Sequence, residues 1–211
     1  MKPRVARPQY KKSILQAVWD GVGIPFRLLL FDQAWLPKFG WTTLEEERFR
    51  FVWPHLSGRV LDVGAGFNNL IKRYGNGVGV DVFEWGGGAI QVQDTSKLPF
   101  ESASFDTITF LACLNHIPYR EAALAEARRL IKPGGTLVVT MINPLLGDIG
   151  HAIWWYSEDK HRGGMLPGET GGLWPAHVIA MCEAAGFRLR LHRQFVYMMN
   201  HLFVFDVAPQ P

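Results

Sequence analysis

The apolar positions of this chain fall into two regimes, and the clearer one begins at Arg59. From there, short apolar runs alternate with turns and amphipathic stretches. Val60–Val63 predicts a first strand and Asn69–Tyr74 a short helix. Val78–Val82 and Ala89–Gln93 predict strands two and three, and Thr107–Leu111 predicts strand four. A helix over Tyr119–Ile131 carries Leu124, Ala127 and Leu130 at helical spacing. Lys132-Pro133-Gly134-Gly135 stops it and turns the chain into strand five, Thr136–Met141. Strands alternating with helices imply a parallel sheet. A later helix, Pro175–Ala185, ends at Gly186. Phe187–Tyr197 and His201–Val207 then read as two strands joined near Met199-Asn200, a link too short for a parallel crossover. The predicted fold class is α/β: a mostly parallel seven-stranded sheet with a C-terminal antiparallel hairpin and an N-terminal helical addition.

Before Arg59 the spacing is helical but interrupted. Ile14, Leu15, Val18 and Trp19, then Leu28 to Phe31, lie around Gly21, Gly23 and Pro25, which predicts two short helices with a break. Thr42 and Glu45 have capping-box spacing, so a further helix starts at Thr42 or Thr43 and ends before Pro54. Residues 1–57 are read as a basic tail and helical cap, and 58–211 as the main domain. Within it, residues 143–173 form a long irregular stretch rich in Gly, Trp and charge, read as a lid-like insertion. Only Phe83-Glu84-Trp85-Gly86-Gly87-Gly88 separates strands two and three, too little chain for a crossover helix.

Composition narrows the class. At 211 residues, 48% apolar and 19% charged, the chain is globular and not disordered. The net charge of +3 is smaller than the contribution of Lys2, Arg4, Arg7, Lys11 and Lys12 in the acid-free first stretch. The basic character therefore belongs to a tail. Residues 1–12 read either as a solvated terminus or as a peripheral contact with an anionic membrane surface or acidic partner. Cys113 and Cys182 sit in apolar surroundings, which predicts reduced, buried thiols in a cytoplasmic protein. No Cys/His spacing suits a metal. The apolar stretch from Ile24 to Phe31 is short and holds Pro25 and Arg27, so neither a signal peptide nor a membrane span is read.

The chemistry concentrates where strands end. Val60-Leu61-Asp62-Val63-Gly64-Ala65-Gly66 puts an acid and a glycine turn after strand one, and Asp81 ends strand two beside Val82. A glycine turn lets backbone approach a ligand, and a downstream acid accepts hydrogen bonds from a ribose. Asn68 and Asn69 stand where a third glycine is usual, and Asn tolerates a left-handed backbone. Asp94 follows strand three, before Leu98-Pro99-Phe100; then come Ser104-Phe105-Asp106, Leu114-Asn115-His116-Ile117, and Glu126 through Gly135.

Over residues 58–141 these elements, in this order, resemble the class I S-adenosylmethionine-dependent methyltransferases, in particular their small-molecule (methyltransferase type 11-like) branch. The resemblance implies a Rossmann-like fold, S-adenosylmethionine as cofactor and S-adenosylhomocysteine as its product. It implies that Gly64, Ala65 and Gly66 lie against the amino-acid end of the cofactor and that Asp62 orients that turn or the ammonium group. It further implies that Asp81, with Val82 beside it, accepts from the ribose hydroxyls, and that Asp94 and Thr95 read the adenine edge. Backbone at Leu111 and Ala112 would face the methionine part. A nicotinamide dehydrogenase is the main competitor for the turn, but its pyrophosphate asks for more glycine than is present.

The acceptor is a small or lipid-like molecule on this reading. His116 follows strand four beside the expected methyl group and is the candidate base; the other reading is a histidine that holds the Leu114–Pro118 turn. Trp154, Trp155, Tyr156, His161 and Arg162 are candidate pocket residues, and Glu169 lies in the same stretch. No regular spacing makes a metal site of His151, Asp159, His161 and Glu169. A nucleic-acid methyltransferase is the alternative within the fold, but Asn115-His116-Ile117-Pro118 replaces the expected Pro-Pro-aromatic element. A catalytically silent cofactor-binding scaffold is the alternative of a different class.

Overall fold

The computed structural model describes residues 14, 18, 20–21, 42–145, 147–148, 165, 167–196 and 198–209. Among them a helix α1, Leu44–Val52, runs into a 3-10 turn at Trp53–His55. Strand β1, Val60–Val63, is followed by helix α2, Asn69–Tyr74, and strand β2, Gly77–Asp81. The two-residue β3, Ile90–Gln91, precedes β4, Phe105–Leu111, and a 3-10 turn at Leu114–His116. Helix α3, Arg120–Leu130, leads directly into β5, Ile131–Ile142. Helix α4, Pro175–Ala184, and the hairpin β6, Phe187–Phe195, and β7, Asn200–Val207, complete the order.

The sheet has seven strands in the order β3-β2-β1-β4-β5-β7-β6. β1, β2, β3, β4 and β5 are parallel, and β7 pairs antiparallel with both β5 and β6. The chain winds outward from β1 to β3, then restarts at β4 on the other side of β1. This reversal leaves a crevice at the carboxyl ends of β1 and β4, where open α/β sheets bind ligands.

Both faces of the sheet are covered, which is why β1 is buried at every position. Alternate residues divide between the faces. Phe203 and Phe205 pack with Ile108, Leu124, Leu130 and Val178. Leu202 and Val204 pack with Val52 and Val138. Phe110, Phe203 and Phe205 are fully enclosed. Each such side chain contributes about 1.5–3 kcal/mol of transfer free energy.

Local signals place the elements. Asn68, with φ 59°, precedes α2, and Gly75, with φ 80°, follows it, so two left-handed residues bracket the predicted helix. Helix α1 is capped by Thr43, whose hydroxyl accepts from Glu46 N at 3.0 Å; this one-residue shift corrects the Thr42–Glu45 pairing. Pro54 falls in the 3-10 turn that extends α1. Strand three is shorter than predicted, and strand two ends at Asp81, which leaves Val82 40% exposed beyond it. Lys132-Pro133-Gly134-Gly135 does end α3, but it lies inside β5 as an irregularity: Phe105 pairs with Ile131 and Thr107 with Thr136. The two short leading helices fall mostly outside the described residues; Ile14, Val18, Asp20 and Gly21 are helical.

Candidate active site

The glycine turn is fixed on the ends of two strands. Gly64 N and Ala65 N both donate to Val80 O, at 2.9 and 3.0 Å. Gly64 has φ +71°, and a Cβ there would fall 2.5 Å from the Cys113 Cβ, so close packing as well as conformation demands glycine. Gly66, with φ +51°, has open space where its Cβ would stand. Its amide donates to Asp81 Oδ2 at 2.8 Å, and Phe83 N donates to Oδ1 at 3.0 Å. Each carboxylate oxygen thus holds one backbone donor and keeps acceptor capacity for another. A vicinal diol beside this carboxylate fits that capacity.

Asp62 lies under the turn, buried, with Thr109 Oγ1 donating to its Oδ1 at 2.6 Å. Burial pushes its carboxyl up to about 7, and the Asp81 charge acts in the same direction, against the Thr109 bond and Arg48. A cation brought near Asp62 would favour its charged form. Cys113 is buried beside it, with Sγ donating to Val63 O at 2.9 Å. Burial, then the Asp62 and Asp81 charges, pushes this thiol well above its ordinary range, which favours its protonated form.

No helix links β2 to β3, as the sequence predicts. The loop instead lies on Phe67: a Cβ at Gly87 would fall 2.3 Å from Phe67 O, and the Trp85 ring sits 5.7 Å from the Phe67 ring. Asn68 Nδ2 donates to Gly88 O at 3.2 Å. The Trp85 Nε1 donor is buried without a hydrogen-bond partner, and Phe67 is half exposed. An orphaned indole donor and an open aromatic face suit a flat heterocycle. Asp94 is exposed and closes a turn, accepting from Ser96 N at 2.8 Å and Ser96 Oγ at 2.6 Å; these bonds hold its carboxyl below the ordinary range. Thr95 beside it is buried.

Sequence reasoning missed what holds this turn. Leu98 N donates to Glu126 Oε1 at 2.8 Å, and Arg129 both grips Glu126 at 2.7 Å and donates to Phe100 O at 3.0 Å. The i,i+3 spacing of Glu126 and Arg129 on α3 was the available signal.

A second group of candidate residues lies past β4. Leu111 ends the strand, and Ala112, with φ 53°, donates its amide to Thr140 O at 3.0 Å. The next turn carries His116, whose Nδ1 lies 3.4 Å from Glu169 Oε2. The Glu169 side chain is 1% exposed and that of His116 25%. Three further contacts dock the same segment: Asn115 Nδ2 to Thr170 O at 3.0 Å, Thr170 N to Asn115 O at 3.0 Å, and Arg120 Nη2 to Gly168 O at 2.7 Å. A cleft of about 460 Å³ opens there, lined by Pro144, Asp148, Glu169, Thr170, Trp174 and His177. Trp154, Trp155, Tyr156, His161 and Arg162 lie outside the described residues. Among the described residues no group of three or more His, Cys, Asp or Glu is arranged for a metal, and no helix is long and apolar enough to cross a membrane.

Residues 61–139 match the family model for a methyltransferase domain. A ubiquinone/menaquinone biosynthesis C-methyltransferase, UbiE, of Bordetella avium is 29% identical over 119 residues, which cover 47% of this chain and 46% of that protein. The chain thus matches less than half the length of that relative. A solved S-adenosylmethionine-dependent methyltransferase from Thermotoga maritima superposes with a TM-score of 0.60 at 16% identity, covering 92% of this chain and 99% of that one. One from Methanosarcina mazei gives 0.57 at 15% identity, covering 76% and 98%. Residues 61–139 are thus similar to a methyltransferase domain, and the strand order and the glycine turn tied to Asp81 are of the kind the class I S-adenosylmethionine-dependent methyltransferases share.

Proposed function

We propose that this protein binds S-adenosylmethionine across the ends of β1, β2 and β4 and methylates a small, lipid-like acceptor of the quinol class. The observation that carries the cofactor half is the Asp81 carboxylate, buried beside the open Gly66 position and already ordering the turn. The acceptor class rests on the relatives named for C-methylation in quinone biosynthesis. When bound, the cofactor supplies a methyl group activated on a sulfonium.

In this reading Asp81 accepts both ribose hydroxyls and the Trp85–Phe67 pair walls the heterocycle, with Asp94 and Thr95 at its edge. Gly64, Ala65 and Gly66 admit the amino-acid end, and Asp62 favours its positive charge. Leu111 and Ala112 line the methionine part. Residues 143–173, with Trp154, Trp155, Tyr156, His161 and Arg162, cover the acceptor and exclude water. Methyl transfer then depends on alignment more than on acid–base strength. Contact of residues 1–12 with an anionic membrane surface would bring such a protein to a lipid-like acceptor.

Titration calorimetry tests the first half: S-adenosylhomocysteine is expected to bind and NAD is not. The second half is tested with a labelled methyl donor and a 2-alkyl-1,4-naphthohydroquinone, scoring label on ring carbon by mass spectrometry. Absence of S-adenosylhomocysteine binding, or clear binding of NAD, sinks the cofactor reading. Label on nitrogen acceptors alone sinks the quinol reading.

A further inference from the structure

Resting on the reading that a hydroxylated acceptor is methylated here, we infer that His116 and Glu169 form a base pair of groups. His116 takes the acceptor's hydroxyl proton through Nε2, and Glu169 positions it by accepting from Nδ1–H. Three observations carry this. The Glu169 side chain is 1% exposed, yet its Oε2 lies 3.4 Å from the Nδ1 of a His116 that is 25% exposed. His116 sits on the turn after β4, at the sheet end that holds the cofactor crevice. The backbone carrying Glu169 is held by Arg120, through Gly168 O, and by Asn115, through Thr170, so the carboxylate is not free to swing away.

A carboxylate at Nδ1 selects the tautomer with the proton on Nδ1 and leaves Nε2 as the acceptor. The proton balance is simple. The acceptor O–H bond breaks, its electron pair stays on oxygen, and an N–H bond forms at Nε2. The charge gained by oxygen is delocalised into the ring, which makes the ring carbon nucleophilic. As that carbon forms its bond to the methyl group, the electron pair of the broken C–S bond would stay on sulfur. The ring C–H proton would then be lost to water and the imidazolium would return its proton to the oxygen, which restores the aromatic hydroxyl. Glu169 touches no reacting atom and is a positioning residue. The other charged or titratable described groups around it are Arg120 on α3, His177 on α4 and Asp148.

The test uses the full chain with S-adenosylhomocysteine bound, labelled with ¹⁵N and ¹³C at histidine. Neutral His116 is expected as the Nδ1–H tautomer. Glu169→Gln is expected to lower its titration midpoint by about one pH unit. In the hydroquinone assay the same variant should lower kcat by about tenfold or more and move the acid limb of its pH profile to lower pH by the same amount. Glu169→Asp should restore part of both, and affinity for S-adenosylhomocysteine should not change. A dominant Nε2–H tautomer, or a midpoint that Glu169→Gln and Glu169→Asp leave unmoved, overturns the pair. So does an acid limb that stays in place while the midpoint moves, which would make the contact a structural clamp. An inactive hydroquinone assay beside the expected tautomer and midpoint shift defeats the acceptor reading and leaves the pair standing.

Discussion

The two halves of the site are held together by opposite means. On the side proposed for the cofactor, carboxylates hold backbone amides: Asp81 takes Gly66 and Phe83, and Glu126 takes Leu98. On the side proposed for the acceptor, side-chain donors reach a segment 48 to 55 residues further along the chain: Arg120 to Gly168, His116 to Glu169, and Asn115 to Thr170. The first half is complete once the parallel strands have paired. The second exists only while residues 167–173 are docked. The cofactor half should therefore tolerate damage to the acceptor half.

The largest effect is expected from Asp81→Ala, which strips two amides of their acceptor and leaves a ribose diol without a carboxylate. Affinity for S-adenosylhomocysteine should fall by about 1.5–3 kcal/mol, or roughly 10- to 150-fold, in titration calorimetry. A dissociation constant within a factor of two of the parent would break the account of the cofactor half.

Arg120→Met comes next. It removes donors to Leu114 O, Asn115 O and Gly168 O. Urea unfolding should show a loss of about 1–3 kcal/mol, and the Thr170 amide should exchange faster, with S-adenosylhomocysteine affinity near the parent value. If that affinity falls as far as in Asp81→Ala, the halves are not separable.

Asp62→Asn sharpens the comparison through pH. The folded carboxyl at about 7 lies above its ordinary 3.8, so the native state binds the proton more tightly than the unfolded chain. The contribution of this group to stability is full below pH 4 and is lost as pH rises towards 7. Relative to the parent, the variant should therefore gain stability between pH 5 and pH 8 in urea unfolding. An equal difference at both values would show that Asp62 is charged throughout.

Trp85→Ala should have the smallest effect, on the order of 1 kcal/mol or about fivefold in S-adenosylhomocysteine affinity, with little change in melting temperature. A loss as large as that of Asp81→Ala would make the aromatic wall, and not the carboxylate, the main anchor.

The same contrast explains what could be read in advance. Strand β1 and helix α2 are legible to the residue, because a short, mostly apolar run ahead of the glycine turn and left-handed Asn68 and Gly75 mark their ends locally. Asp62, Asp81 and the glycine turn are close in sequence and tied to strand ends, so their meeting followed from the pattern. Glu169 was visible only as one charge among several in a long irregular stretch. Its pairing with His116 depends on how a segment 53 residues away folds back, and no periodicity encodes that. The link between Gly87 and Phe67 is hidden for a related reason: the absence of a helix was legible, but where the remaining loop would lie was not. The start of β5 was misplaced because Pro133 and Gly134 read as a turn, whereas the sheet absorbs them as an irregularity next to the Lys132–Asp106 ion pair.

The amides of Gly66 and Phe83 are tied to Asp81 by hydrogen bonds within the chain itself, and this has a calorimetric consequence. A loop that folds onto its ligand buries its own apolar surface on binding and shows a large negative heat-capacity change. Here the turn is already ordered, so that change should reflect only the surface covered by the ligand itself. The binding enthalpy of S-adenosylhomocysteine should then vary only gently with temperature.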